Sequence, residues 1–77
     1  MKTYDECYKV IALHQNDVLP LFADAWNRFP DPKTASIIVE KLKGAVFTYR
    51  MLGEKNPKNE NTAKEIIDVI ETIKARA

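Results

Sequence analysis

Apolar residues recur along most of this chain at spacings of three and four, which is typical of amphipathic α-helices. The first such stretch follows Thr3-Tyr4-Asp5-Glu6. These residues match a capping box, in which the threonine oxygen accepts from a free backbone amide and the glutamate reaches back to the cap amide. The sequence therefore predicts that a first helix begins here. Its apolar face carries Tyr4, Cys7, Tyr8, Ile11 and His14, widened by Val10 and Leu13.

A polar interruption, Gln15-Asn16-Asp17, separates the first pattern from a second one and offers a new N-cap. We expect a second helix from about Val18, with Pro20 tolerated in its first turn because that amide has no intrahelical acceptor. The alternative is one long helix kinked at Pro20. The apolar stripe of the second helix comprises Val18, Phe22, Ala25, Trp26 and Phe29.

The segment Phe29-Pro30-Asp31-Pro32 predicts a helix stop followed by a restart. Each proline disfavours helical geometry in the residue before it, so the second helix should end at Phe29 and Asp31 should serve as an N-cap. Pro32 suits the first helical position, where its ring is already set.

A long third helix is predicted from Pro32 to Leu52, about 31 Å in length. Gly53 would then supply the left-handed residue that ends many helices. The apolar residues alternate at three and four, which indicates a seam facing one neighbour along the whole helix. This seam comprises Ala35, Ile38, Leu42, Ala45, Tyr49 and Leu52.

The polar run from Glu54 to Asn61 is expected to be a solvated loop. A second capping box, Thr62-Ala63-Lys64-Glu65, would begin a fourth helix with an apolar seam of its own. That seam comprises Ala63, Ile66, Ile70, Ile73 and Ala77, broadened by Ile67 and Val69. Together the patterns predict an all-α fold with a single domain over residues 1–77. It would be a small four-helix bundle with a long central third helix, an antiparallel hairpin of helices three and four, and two short helices across the hairpin.

The length of 77 residues limits what the fold can bury. A domain of this size supplies only about 3–5 kcal/mol from its core, so burial against a second chain would add needed stability. One cysteine cannot form an internal disulfide, which favours a reducing compartment and hence a cytoplasmic location. We expect no membrane association, because no apolar run approaches the roughly 20 residues that cross a bilayer.

The net charge of +1 hides an uneven distribution. Residues 32–58 carry six bases and two acids, whereas each flanking segment has more acids than bases. A near-neutral total argues against broad nucleic-acid binding, although a local basic patch is compatible with it.

Residues that could perform chemistry are few. Cys7 and His14 are the only thiol and the only imidazole. They lie about 10 Å apart along the predicted first helix, too far for a thiolate–imidazole pair or shared metal ligation. The sequence has no glycine-rich phosphate loop, zinc spacing or nucleophile elbow. We therefore expect a non-enzymatic protein with no cofactor and no metal site, in which Cys7 packs as a small hydrophobe.

The third helix carries a second apolar line opposite its seam, formed by Ile37, Gly44 and Met51 with Phe47 beside them. One interpretation is a central helix covered on both sides within the monomer. The other is a partner or oligomer interface, in which the same line of a second subunit meets it around a two-fold axis. A mid-helix glycine costs about 1 kcal/mol relative to alanine, which makes sense if another backbone approaches closely.

The third helix also carries the basic residues. Their ordinary interpretation is a solvated face of long side chains. The alternative is a site for an anion or an acidic partner, formed by Lys41, Lys43, Tyr49 and Arg50.

These features favour a small regulator, inhibitor or adaptor that acts through protein–protein contacts, as a homo-oligomer, with a protein partner of unknown identity. The alternative is a protein that binds phosphorylated ligands such as nucleotides, or nucleic acid, through the basic surface of helix three or a pocket between subunits.

Overall fold

The computed structural model describes residues 2–27, 32–53 and 56–76. Four α-helices account for most of them: α1 (Tyr4–His14), α2 (Leu19–Asn27), α3 (Pro32–Gly53) and α4 (Pro57–Arg76). A 3₁₀ turn, Asn16–Val18, joins α1 to α2. None of the described residues forms a β-strand, so the predicted all-α fold is confirmed.

The antiparallel hairpin of α3 and α4 dominates the packing between elements, as predicted. The two helices have 22 and 20 residues, and α1 and α2 lie across one side of the pair. The resulting molecule is elongated, with extents of 40 × 21 × 21 Å. Because both short helices lie on the same side of the hairpin, they leave the opposite side of α3 without a neighbour among the described residues.

The core lies between the hairpin and the two short helices. Tyr4 stacks on Phe22 with ring centroids 5.3 Å apart, which ties the start of α1 to the middle of α2. Trp26 is half-buried at the margin of this cluster, 5.6 Å from the Phe22 ring. The largest fully buried side chains come from all four helices and the 3₁₀ turn: Phe22, Ile11, Ile38, Leu42, Ile66, Val18, Val69 and Cys7.

The predicted capping box at the start of α1 is confirmed. The Glu6 amide donates to Thr3 Oγ1 at 3.3 Å, and the Thr3 amide donates to Glu6 Oε1 at 3.2 Å. These hydrogen bonds lower the pKa of the Glu6 carboxyl, because they favour its charged form.

The break between α1 and α2 occurs at Gln15, where the backbone leaves helical geometry with φ −142° and ψ 57°. The alternative of one helix kinked at Pro20 is therefore wrong, since the chain turns five residues before that proline. Asp17 lies within the 3₁₀ turn, and its carboxylate binds Lys41 of α3. α3 begins at Pro32 as predicted, whereas the predictions for Phe29 and Asp31 lie outside the described residues.

The predicted start of α4 at Thr62 is wrong, because the helix begins five residues earlier at Pro57. Asn56 is the N-cap, and its Oδ1 accepts from the Lys58 amide at 3.1 Å. The proline ring already has the backbone angle of the first helical position. Asn56 and Pro57 therefore start the helix although the residues that follow are polar. Thr62 lies inside the helix, where its hydroxyl donates to the Lys58 carbonyl at 3.1 Å.

The predicted end of α3 also differs from the structure. Gly53 is the last residue of the helix, and no described glycine has a positive φ. Leu52 was expected in the buried seam but is exposed. A straight helix drifts by about 20° per seven residues, so a seven-residue pattern leaves the contact face near the helix end. Val39 and Val46 are also buried, so the contact face of α3 is wider than the predicted seam.

The apolar face of α1 is narrower than predicted. Cys7 and Ile11 are buried against the hairpin, whereas Tyr8 and Leu13 are exposed. Leu13 follows Ile11 by two residues, and that separation places it on the far side of the helix.

Candidate functional site

One side of α3 presents large apolar side chains to solvent. We call this surface the outer face and define it by Ile37, Gly44, Phe47, Met51 and Leu52. The exposed fractions of its four large side chains are 50% for Ile37, 67% for Phe47, 62% for Met51 and 52% for Leu52. The interpretation of α3 as a central helix covered on both sides is therefore wrong, because no described element packs against this face.

Helix geometry places the outer face away from the core. At 100° per residue, Gly44 points almost opposite to Leu42 and Val46, which lie in the core. Within the described part of the chain, no atom outside the helix's own backbone and Gly44's immediate neighbours lies within 4 Å of a Cβ built on Gly44. The close backbone approach that the sequence suggested at this glycine is thus not made by any described part of the same chain.

Lys41 lies along one edge of the outer face, on the side of α1 and α2. Its ammonium donates to Asp17 Oδ2 at 2.9 Å. This hydrogen bond lowers the pKa of Asp17, because the neighbouring positive charge favours the carboxylate. Both side chains are substantially exposed, so the pair joins the 3₁₀ turn to α3 at the protein surface.

Tyr49 points towards α1 and not towards the outer face. Its hydroxyl lies 3.2 Å from His14 Nδ1, and the two rings meet edge to face with centroids 5.4 Å apart. The hydrogen bond satisfies one ring nitrogen of the half-buried imidazole. Because this contact turns the half-buried Tyr49 ring towards α1, Tyr49 does not line the groove of Lys43 and Arg50.

Lys43 and Arg50 lie along the other edge of the outer face, where α3 meets α4. They line a shallow groove of about 180 Å³ together with Lys74 and Glu71 of α4. Lys43 also lies 3.6 Å from Glu40, one turn earlier on α3. Two positions along a helix correspond to a 200° rotation, so Lys41 and Lys43 point to opposite edges of α3.

The four residues predicted to form an anion site are therefore divided by the helix. Lys41 and Tyr49 face α1 and the 3₁₀ turn, whereas Lys43 and Arg50 face α4. Lys74 completes the basic groove from the opposite helix, and the sequence patterns did not single it out. Its position one residue after Ile73 of the α4 seam was the available signal, since it places the lysine beside the helix–helix contact.

Cys7 is enclosed in the core with no exposed surface. Burial raises the pKa of its thiol, because a thiolate is poorly solvated there. An enclosed, protonated thiol is a poor nucleophile, which agrees with its predicted role as a packing residue. Nearby, the Lys2 amide donates to Thr72 Oγ1 at 3.2 Å and holds the chain start against α4.

The C-terminal end of α4 closes over α2 through Arg76. Its guanidinium carbon lies 4.0 Å from the centre of the Trp26 ring, and Nη2 donates to the Trp26 carbonyl at 3.1 Å. The cavity beneath this contact measures about 10 Å³, which is the size of one water at most. The arrangement therefore stabilises the fold and leaves no room there for a ligand.

Among the described residues, no helix is long and apolar enough to cross a bilayer, and no group of side chains is suited to hold a metal ion. Comparison of the chain with protein families, curated proteins and solved structures found no match.

Proposed function

We propose that this protein is a small, non-enzymatic, cytoplasmic binding protein that acts as a regulator, inhibitor or adaptor through protein–protein contacts. The observation that carries this proposal is the outer face of α3. Single exposed apolar residues are common on proteins, but a contiguous group on one helix face indicates an interaction site.

The size of the outer face supports this role. A large side chain presents roughly 200 Å² when fully exposed, so the exposed fractions of Ile37, Phe47, Met51 and Leu52 amount to about 460 Å². The largest apolar patch on a typical monomer is about 300–600 Å² and is often functional. Aromatic and methionine side chains are also enriched at the centres of protein interfaces, and Phe47 and Met51 are the two most exposed members of this group.

The direct test is photo-crosslinking from position 47. A photoreactive phenylalanine analogue replaces Phe47, and the matched control carries the same analogue at Glu65, an exposed position on α4. Irradiation in cell extract should give defined adducts from position 47 and only diffuse background from position 65. Equal labelling from both positions would show that the outer face has no preferred protein partner.

A second candidate function rests on the groove between α3 and α4. Lys43, Arg50 and Lys74 place three positive charges around one acid, Glu71. Arginine and lysine together suit a phosphate group, which arginine binds through paired hydrogen bonds and lysine as a point charge. The groove would then bind a small phosphorylated ligand such as a nucleotide.

Thermal unfolding in the presence of a nucleotide panel tests this candidate. A ligand at 100 times its Kd stabilises the folded state by about 2.7 kcal/mol. The shift should disappear in a variant carrying Arg50→Gln and Lys74→Gln, and it should persist in the control Lys64→Gln on the exposed surface of α4. A panel that shifts neither protein would exclude nucleotides as ligands of the groove.

A further inference from the structure

We infer that the outer face binds a second copy of this chain, with the two α3 helices antiparallel and the two-fold axis at Gly44. This inference rests on the proposed function, because it names the occupant of the same surface. It is carried by the symmetry of the apolar positions about Gly44, by the open space at that glycine, and by the area of the face.

The apolar positions are symmetric about Gly44. Ile37 and Met51 lie seven residues before and after it, about 10.5 Å away in each direction along the helix. Seven residues complete nearly two turns, so both side chains point in almost the same direction as the glycine. A two-fold axis at Gly44 therefore places Ile37 of one chain opposite Met51 of the other, and it forms this contact twice.

Gly44 allows the close approach that such a dimer needs. It is exposed, lies in the middle of α3 and has no positive φ, so its backbone conformation is available to any residue. A Cβ at this position would meet no described atom of the same chain outside the local helix backbone. Nothing within the described chain thus requires glycine here, whereas two helix backbones that meet at a two-fold axis pack most closely where both lack a side chain.

Phe47 contributes to the same contact from one edge of the face. It lies one turn beyond Gly44 and is 67% exposed. The two-fold operation places both Phe47 rings on the same edge of the paired helices, one on each side of the facing glycines. Each ring can then lie across the glycine of the opposite chain, where a larger side chain would exclude it.

The antiparallel orientation follows from electrostatics. Antiparallel α3 helices align their dipoles favourably, whereas a parallel pair places like helix ends together. The antiparallel pair places the two Lys41 residues on one edge of the contact, about 9 Å apart along the helix axis, each at the height of Phe47 of the opposite chain.

The exposed apolar side chains account for a large part of the area that a dimer needs. The four apolar side chains supply about 460 Å² per subunit, which is more than half of the roughly 800 Å² that each partner contributes to a standard interface. Glu40, Lys41 and Thr48 are exposed within one turn of Gly44, so polar side chains flank the apolar line close to the axis.

Disulfide trapping of the full chain tests the geometry, because Cys7 is enclosed in the core and does not compete. Gly44 is kept in every variant, because a larger side chain there would weaken the contact. Ile37→Cys alone and Met51→Cys alone should stay monomeric on denaturing gels, whereas their mixture should cross-link. Cross-linking of Ile37→Cys alone would indicate a parallel pair and overturn the proposal, as would the absence of cross-linking in the mixture.

Sedimentation of the unlabelled protein tests the association itself. The wild type should sediment as a dimer at micromolar concentration, and Phe47→Asp should weaken association at least 100-fold. The matched control is Leu13→Asp, which adds the same charge at a leucine that is 76% exposed on α1, away from the outer face. A monomeric wild type, or an equal loss of association in Phe47→Asp and Leu13→Asp, would overturn the inference.

The photo-crosslinking experiment separates this inference from the proposed function. An adduct from position 47 with twice the mass of the chain supports both the proposed function and the inference of a second copy. An adduct only with a different protein supports the proposed function and overturns the inference of a second copy. A face that gives no specific adduct overturns both.

Discussion

The ammonium of Lys41 lies 2.9 Å from the carboxylate of Asp17, and this contact joins the 3₁₀ turn to the middle of α3. The two residues are 24 positions apart in the sequence. Asp17 belongs to the polar interruption that was expected to offer the N-cap of the second helix. The exposed ion pair thus adds a surface contact between the 3₁₀ turn and α3, along one edge of the outer face.

The pairing of Asp17 with Lys41 predicts a pH-dependent contribution to stability. The pKa of Asp17 is lowered in the folded state, so its contribution is present above the unfolded pKa and is lost as pH falls through the folded value. In urea titrations, Asp17→Asn should lower the unfolding midpoint at pH 7, and this difference should vanish in acid. A difference that persists unchanged below pH 2 would contradict the role of the carboxylate charge.

The position of the α4 N-cap predicts that alanine substitution reduces stability at Asn56 but has little effect at Thr62. Asn56→Ala should destabilise the protein by about 1 kcal/mol, because it removes the acceptor of the Lys58 amide. Thr62→Ala should change stability by less than about 0.5 kcal/mol, since Thr62 lies inside the helix and alanine is the better helix former. Chemical denaturation of both variants would reveal the true cap, and a larger loss for Thr62→Ala would contradict the structure.

The burial of Leu42 predicts that this one side chain decides whether the protein folds. Leu42 is 1% exposed, and Leu→Ala substitutions in a core cost about 2–5 kcal/mol. Because a core of this size supplies only about 3–5 kcal/mol, Leu42→Ala should leave much of the protein unfolded at 25 °C, as judged by circular dichroism. Leu13→Ala, at an exposed leucine, serves as the control and should change stability by less than about 0.5 kcal/mol.

Substitution of Gly44 is predicted to change the stability of the single chain and the strength of its association in opposite directions. Alanine at this position meets open space and is the better helix former, so Gly44→Ala should stabilise the single chain by up to about 1 kcal/mol. This is measured in the Phe47→Asp background, which removes association. In the wild-type background the same change should weaken the dimer. Destabilisation of the single chain would mean that the glycine is required within the monomer.

The burial of Cys7 predicts slow reaction with thiol reagents. Modification under native conditions should proceed only through opening of the fold, and it should become fast in denaturant. Since the pKa of Cys7 is raised in the folded state, stability should decline as pH rises above the unfolded thiol value of about 8.5. Rapid native labelling would show that the thiol is accessible.

The patterns along the chain were sufficient to predict the helices and most of their faces. The capping box at Thr3 and the proline at position 32 act within one turn, so their effect does not depend on distant residues. The start of α4 was missed because two local signals competed: Asn56-Pro57 prevailed over the later box at Thr62. Leu52 was misassigned because a seven-residue spacing drifts around a straight helix.

The same patterns could identify the outer face but could not say what covers it. Periodicity places Ile37, Gly44 and Met51 on one side of α3, and this property belongs to the helix alone. Whether α1 and α2 lie against that side or the other depends on packing between distant segments. Such packing also brought Lys74 of α4 beside Lys43 and Arg50.

The sequence by itself thus determined the helices, the cap of α1, the start of α3 and the two-sided character of α3, because these depend on interactions within a few residues. The tertiary structure decided that both short helices lie on one side of the hairpin, which leaves the other side of α3 apolar and without a neighbour among the described residues. That choice depends on the joint burial of Ile11, Phe22, Leu42 and Ile66, residues far apart in the chain, and no local pattern encodes it.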